Sequence, residues 1–238
     1  MSLTSLARAA TIVAVFGLVS RFLGLVRNMV LGSFYGATGE TDAFVNSLLI
    51  VNVGAAVLLY LLITVVIPLF QSERAQHGES SAWGLVWALC AWVGIITIAI
   101  GAFAGIWPEF PAAWYGTDPA RTAMTTELIR LMAPALLFQG FSALFTALLQ
   151  IHGKFGTPAA VGMAFNAGTI AGMVVGHRTI GIEGAAWGVT AGAFAQVLLQ
   201  LPQFIRVMGA HRVQYRLTHP RLGRAGMLAL PVAAASVL

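Results

Sequence analysis

The chain has 238 residues, of which 58% are hydrophobic and only 9% charged, where a soluble domain carries about 25% charged residues. So few polar side chains cannot cover a water-exposed surface around that much apolar mass, which excludes a soluble globular fold and makes lipid the main solvent. The net charge is +5 and there is 1 cysteine, so no disulfide framework or thiol-based metal site can form within one chain.

The opening MSLTSLARAATIVAV has the basic-then-apolar order of a signal peptide, but apolar character continues to Leu31 without a clear cleavage site. This predicts a retained first span. Further runs long enough to cross a bilayer lie at 43–70, 82–107, 128–151, 158–176 and 185–205, and a seventh starts near 225. They are too long and too uniformly apolar for barrel strands, so the expected fold is an all-α polytopic helix bundle. The expected organisation is a six-helix transmembrane lobe over 1–210, a basic loop over 211–224, and the start of a truncated seventh span over 225–238. In the second and fourth runs Pro68 and Pro134 imply kinks. Cys90, in the third, reads as a small buried hydrophobe. The fifth run is rich in glycine, and Gly168, Gly172 and Gly176 fall on one helix stripe suited to close packing.

Charges between the runs sort by side. Arg8, the Glu73/Arg74/Glu79 loop, Lys154 and the block Arg206, Arg212, Arg216, Arg221 and Arg224 fall on one side and make it basic. Glu40, Asp42, Glu109, Asp118, Arg121, Glu127, Arg178 and Glu183 fall on the other and make it acidic. The bias of Lys and Arg toward inside loops predicts a cytoplasmic amino terminus. Beside membrane spans, the basic 206–224 segment reads as a topology signal that also touches anionic lipid, not as a nucleic-acid site.

The segment SRFLGLVRN, residues 20–28, puts two arginines inside the first span. A charge near the middle of a span costs about 2.5–3.5 kcal/mol on insertion scales, so both need a compensating environment. At 100° per residue Ser20 and Arg27 share one column, Arg21 and Asn28 another, and Gly24 lies between them, giving one broad polar face. Without a side chain, Gly24 lets a ligand or a neighbouring helix approach the backbone. Two guanidiniums about 9 Å apart along the axis suit a large anion such as a diphosphate. Arg27 has a plainer alternative, snorkelling to the outer interface or pairing with Asp42, whereas Arg21 sits too deep for that. Arg130 starts its span three residues after Glu127 and reads as an intrahelical pair or interfacial anchor.

Asn46, Asn52, Thr64, Gln139, Gln150, Asn166, Gln196 and Gln200 lie in spans, and most read as hydrogen-bond glue between helices. Gln196 and Gln200, one turn apart, have a second reading as cavity lining. His77, His152, His177, His211 and His219 show no metal-ligand spacing on one helix face. With no Gly-rich phosphate loop carrying a lysine, no paired carboxylates within a span and no nucleophile triad, neither an enzyme nor a cofactor is expected.

The string SRFLGLVRNMVLGSFYGATGETDAF at 20–44 closely resembles the start of the MurJ (MviN) family, lipid II flippases of the MOP transporter superfamily. QIHGKFGTPAAVGMAFN at 150–166 resembles that family's inside loop, and AWGVTAGAFAQVLLQLPQF at 186–204 its sixth helix. The resemblance implies a MOP-type amino-terminal lobe in a bacterial inner membrane. It implies a flippase for a polyprenyl-diphosphate-linked peptidoglycan precursor, working by alternating access. Arg21 and Arg27 match the family's cavity arginines and Asp42 its acidic residue; Ser20, Gly24 and Asn28 complete the expected substrate-binding set.

Two departures stand out. The VNVGAAVLL segment at 51–59 keeps Asn52 but has Ala55 and Ala56 where the family has arginine, leaving room for another lipid-linked oligosaccharide as cargo. The chain also stops as a second lobe would begin, and alternating access needs two bundles around a shared site. The expected partners are therefore a lipid-linked glycan diphosphate, membrane lipids, and a second lobe or another copy of the chain, with no nucleic acid. The rival reading is a non-transporting membrane scaffold or remnant whose arginines organise packing.

Overall fold

The computed structural model describes residues 3–113, 119–209, 219–220 and 223. The described chain is α-helical: α1 (Leu3–Tyr35), α2 (Gly39–His77), α3 (Glu79–Ile106), a one-turn α4 (Glu109–Ala112), α5 (Pro119–Ile151), α6 (Gly156–Gly176) and α7 (Glu183–Gly209). Six of these are long and apolar enough to cross a membrane, and they coincide with the six expected spans. The basic loop expected at 211–224, apart from His219, Pro220 and Gly223, and the seventh span expected from 225 lie outside the described residues.

The helices run past the apolar segments that announced them, because a helix continues into water until the backbone is stopped. The segment 71–81, expected as a loop, is helical on both sides of Gly78, whose φ of 84° ends α2 while its N–H bonds the Arg74 carbonyl. At the other end of α2, the Thr38 hydroxyl accepts from the Thr41 N–H at 3.4 Å, capping an otherwise orphaned donor. With 39 residues, α2 is about 58 Å long against about 30 Å of hydrocarbon, so its ends stand in water. Pro68, Pro134 and Pro202 are all carried inside helices.

The bundle is built around α5, which packs on α2, α3 and α7. Its buried side chains divide into two clusters along its length. Leu128, Ile129, Met132 and Leu136 meet Phe44 and Leu48 of α2 and Val189 of α7. Toward the opposite end Leu144 and Leu148 meet Phe70, Trp83 and Phe204. In this bundle α1 is peripheral: it packs along α6 and scarcely touches α2.

Two glycine rows explain how α6 and α7 approach. Gly168, Gly172 and Gly176 face Gly192, Gly188 and Gly184 backbone to backbone, and a Cβ on Gly188 would lie 2.8 Å from the Thr169 carbonyl oxygen. Only glycine permits that separation. Three further hydrogen bonds stitch helices together: Gln200 Nε2 donates to Ser142 Oγ at 2.8 Å, Thr146 Oγ1 to Gln200 Oε1 at 3.0 Å, and Gln196 Nε2 to the Val161 carbonyl at 3.2 Å. Gln196 and Gln200 thus join helices. Of the eight polar span residues, Asn166 is the third that joins helices; Asn46, Asn52, Thr64, Gln139 and Gln150 make no hydrogen bond among the described residues.

Candidate functional site

The polar face of α1 meets α6, and the two helices fit because each gives way at a glycine. Ser20 packs against Gly162, where a Cβ would overlap its hydroxyl, and the space over Gly24 is taken by the Asn166 amide, 3.9 Å from where a Cβ would stand. Of the two visitors expected at Gly24, the structure therefore places the neighbouring helix there.

Asn166, only 8% exposed, organises this seam. Its Oδ1 accepts from Arg27 Nη1 at 3.2 Å, while its Nδ2 donates to the Gly162 carbonyl at 3.0 Å and the Ser20 carbonyl at 3.2 Å. The amide orientation follows from chemistry, since guanidinium offers only donors and the two carbonyls only accept. Arg27 is further held by Asn28 Oδ1, which accepts from Nε at 3.2 Å and Nη2 at 3.0 Å. A charged group inside a span thereby has each of its three nitrogens hydrogen-bonded. Asp42 is not among its partners. Asp42 instead lies 3.6 Å from Arg121 in an exposed pair between the starts of α2 and α5.

Arg21, six residues before Arg27 on α1, is exposed and makes no hydrogen bond or ion pair among the described residues. Around it Leu18, Phe22 and Leu25 are also exposed, at 63–64%. The structure therefore brings together Ser20, Gly24, Arg27 and Asn28, leaves Arg21 open on the adjacent face, and sets Asp42 apart. The residue not singled out beforehand as part of the site is Asn166. Its signal was present, since it closes the 150–166 string, but nothing in spacing along α6 says that its partner is on α1.

Two other expectations are corrected. Arg130 does not pair with Glu127: its Nε donates to the Gly105 carbonyl at 3.2 Å and Nη2 lies 3.5 Å from Glu109 of α4. A partner from across the bundle displaces the one on its own helix. Glu73, expected in a loop, is a buried member of α2 that accepts from Ser81 Oγ at 2.6 Å and approaches His77 at 3.1 Å and His219 at 3.7 Å. Among the described residues no group of His, Cys, Asp or Glu is arranged to hold a metal ion.

The bundle superimposes on a solved lipid II flippase MurJ in an inward closed conformation with a TM-score of 0.77, covering 94% of this chain and 47% of that one at 16% identity. It superimposes on a MOP superfamily transporter from Pyrococcus furiosus with a TM-score of 0.70, covering 96% and 52% at 14% identity. These likenesses define the class: a helix bundle of the MOP transporter fold. The family model described as Lipid II flippase MurJ matches residues 34–237, and the chain belongs to that family. The lipid II flippase MurJ of Burkholderia cenocepacia is 27% identical over 216 residues, which cover 85% of this chain and 41% of that protein. The chain thus spans less than half the length of the curated relatives it matches.

Proposed function

We propose that this chain supplies the amino-terminal lobe of a flippase that moves a polyprenyl-diphosphate-linked peptidoglycan precursor of the lipid II type across a bacterial inner membrane by alternating access. The observation that carries this reading is the cationic face of α1: Arg27 held in place by Asn166 and Asn28, with Arg21 exposed beside it. Fixing one guanidinium and leaving the other open is an arrangement suited to receiving a diphosphate, whose two phosphate groups match a pair of bidentate donors. Ser20 and Asn28 add hydrogen-bonding groups, and Gly24 admits the Asn166 amide that fixes Arg27. Asp42, engaged by Arg121, acts at the rim. The isoprenoid tail stays in lipid while the head group crosses, and no covalent chemistry is asked of the chain.

Family membership and six apolar helices support a multi-pass protein of the bacterial inner membrane. The basic connections lie on the cytoplasmic side, with the amino terminus. A central cavity needs two bundles rocking around it, so the working unit pairs this lobe with a second one.

The test is complementation of cells depleted of their lipid II flippase, with this chain alone and then with a MurJ second lobe supplied separately. Rescue by the chain alone means that copies assemble a working cavity; rescue only with the added lobe makes it half of a transporter. Failure of both, with the protein present in the membrane, overturns the reading in favour of a different lipid-linked cargo, to which Ala55 and Ala56 point, or of a scaffold.

A further inference from the structure

A groove of about 360 Å³ opens between α3 and α5, away from the α1 seam. Its floor is Gly101 and Gly105 of α3, with Ala102, Thr97, Pro134 and Leu137 along its sides and Arg130 at one end. The glycines keep the floor low where α3 runs against α5: a Cβ on Gly101 would stand 3.1 Å from the Ala133 carbonyl oxygen. The one hydroxyl in the lining is turned inward, Thr97 Oγ1 donating to the Val93 carbonyl at 2.6 Å. The channel is therefore apolar except at the Arg130 end.

That end lies at the level of an aromatic cluster. Phe103 meets Trp107 at 5.8 Å and Phe110 at 5.9 Å between ring centroids, and Trp107 is 59% exposed. Exposed aromatic rings at a helix end mark the boundary between hydrocarbon and head groups. From Gly105 at this boundary to Thr97 is about 12 Å of helix, close to the ~15 Å depth of one leaflet's hydrocarbon. Arg130 has donors to spare. Nε is taken by the Gly105 carbonyl and Nη2 faces Glu109 at 3.5 Å, but Nη1 has no partner among the described residues. Both members of the Glu109 pair are more than half exposed, so the pair gives little hold on the guanidinium.

We propose that this groove binds one membrane phospholipid, with its phosphate on Arg130 and one acyl chain lying over Gly105, Gly101 and Thr97. A cation at the boundary above an apolar channel one leaflet deep is complementary to a phosphate on an acyl chain. A packed protein helix, by contrast, would have to bury the Arg130–Glu109 pair.

The test titrates the delipidated chain in neutral detergent with phosphatidylglycerol, read by native mass spectrometry. Diacylglycerol of the same chains serves as the phosphate-free control. One phosphatidylglycerol per chain should be retained, with diacylglycerol several-fold weaker. Arg130→Gln should weaken retention about tenfold, the scale of one charge-assisted contact. Ala102→Phe, at an exposed position in the channel lining, should do the same, while Val175→Phe on another exposed face should not. Equal retention of the two lipids, wild-type retention by both groove variants, or an Ala102→Phe effect confined to self-association overturns the proposal.

Discussion

Arg21 and Arg27 share a helix but answer to different forces. Arg27 faces two amide oxygens, Asn28 Oδ1 and Asn166 Oδ1, so a carboxylate there would meet acceptors with an acceptor inside a span. Arg27→Glu should lower abundance in the membrane as well as activity, whereas Arg21→Glu should abolish flippase complementation with abundance near normal. Immunoblots of the membrane fraction beside the complementation assay check both, and loss of the Arg21→Glu protein would assign that residue to packing. At this scale the sequence exposed the polar face of α1 through helical geometry, because 100° per residue sorts Ser20, Gly24 and Arg27 without reference to any other helix. What covers that face was not legible. The contact between Arg27 and Asn166 joins residues 139 apart in the chain, and such pairings follow from how helices dock.

At the scale of the element, the α6–α7 seam is the tightest junction of the bundle. A Cβ on Gly172 would overlap Gly188 Cα, and one on Gly184 would stand 2.7 Å from Gly176 Cα. Backbone cannot yield as a flexible side chain does, so the helices must separate. Gly188→Leu should therefore destabilise the bundle by about 1–3 kcal/mol or more, while the same change at Gly32, with open space around it, should be tolerated. Unfolding in mixed micelles, followed by accessibility of Cys90, compares the two. The 168–172–176 row was legible from its spacing of four. Its partner 184–188–192 has the same spacing, but spacing along one helix does not say which other helix it meets. Span ends were the least legible, since hydropathy reports where lipid stops and not where helical hydrogen bonding does; hence α5 begins at Pro119, well before the apolar run at 128.

Across the whole molecule, charges that hydropathy sorted to one side do meet there. Arg74 lies 3.9 Å from Glu79 and Glu79 lies 3.7 Å from His152, at the junctions of α2, α3 and α5, while Asp42 meets Arg121 at the opposite end. Which end faces the cytoplasm is carried by the Lys and Arg bias alone. Alkaline phosphatase fused after residue 113 should accordingly be active, and fused after residue 154 inactive; the reverse pattern would invert the bundle. The six spans among the described residues could be read from composition because each must satisfy its own backbone in lipid. The central place of α5 and the peripheral place of α1 could not, since all the spans are similarly apolar.

That peripheral place has a consequence for synthesis. Helix α1 leaves the ribosome well before α6, on which it packs, and the Asn166 amide that receives Arg27 is made 139 residues later. At about 5–20 residues per second of elongation, Arg27 waits on the order of 7–28 seconds with Asn28 beside it but without its acceptor on α6. During that interval the nascent α1 must be sheltered by the insertion machinery or by lipid head groups, and a helix inserted later decides whether it stays.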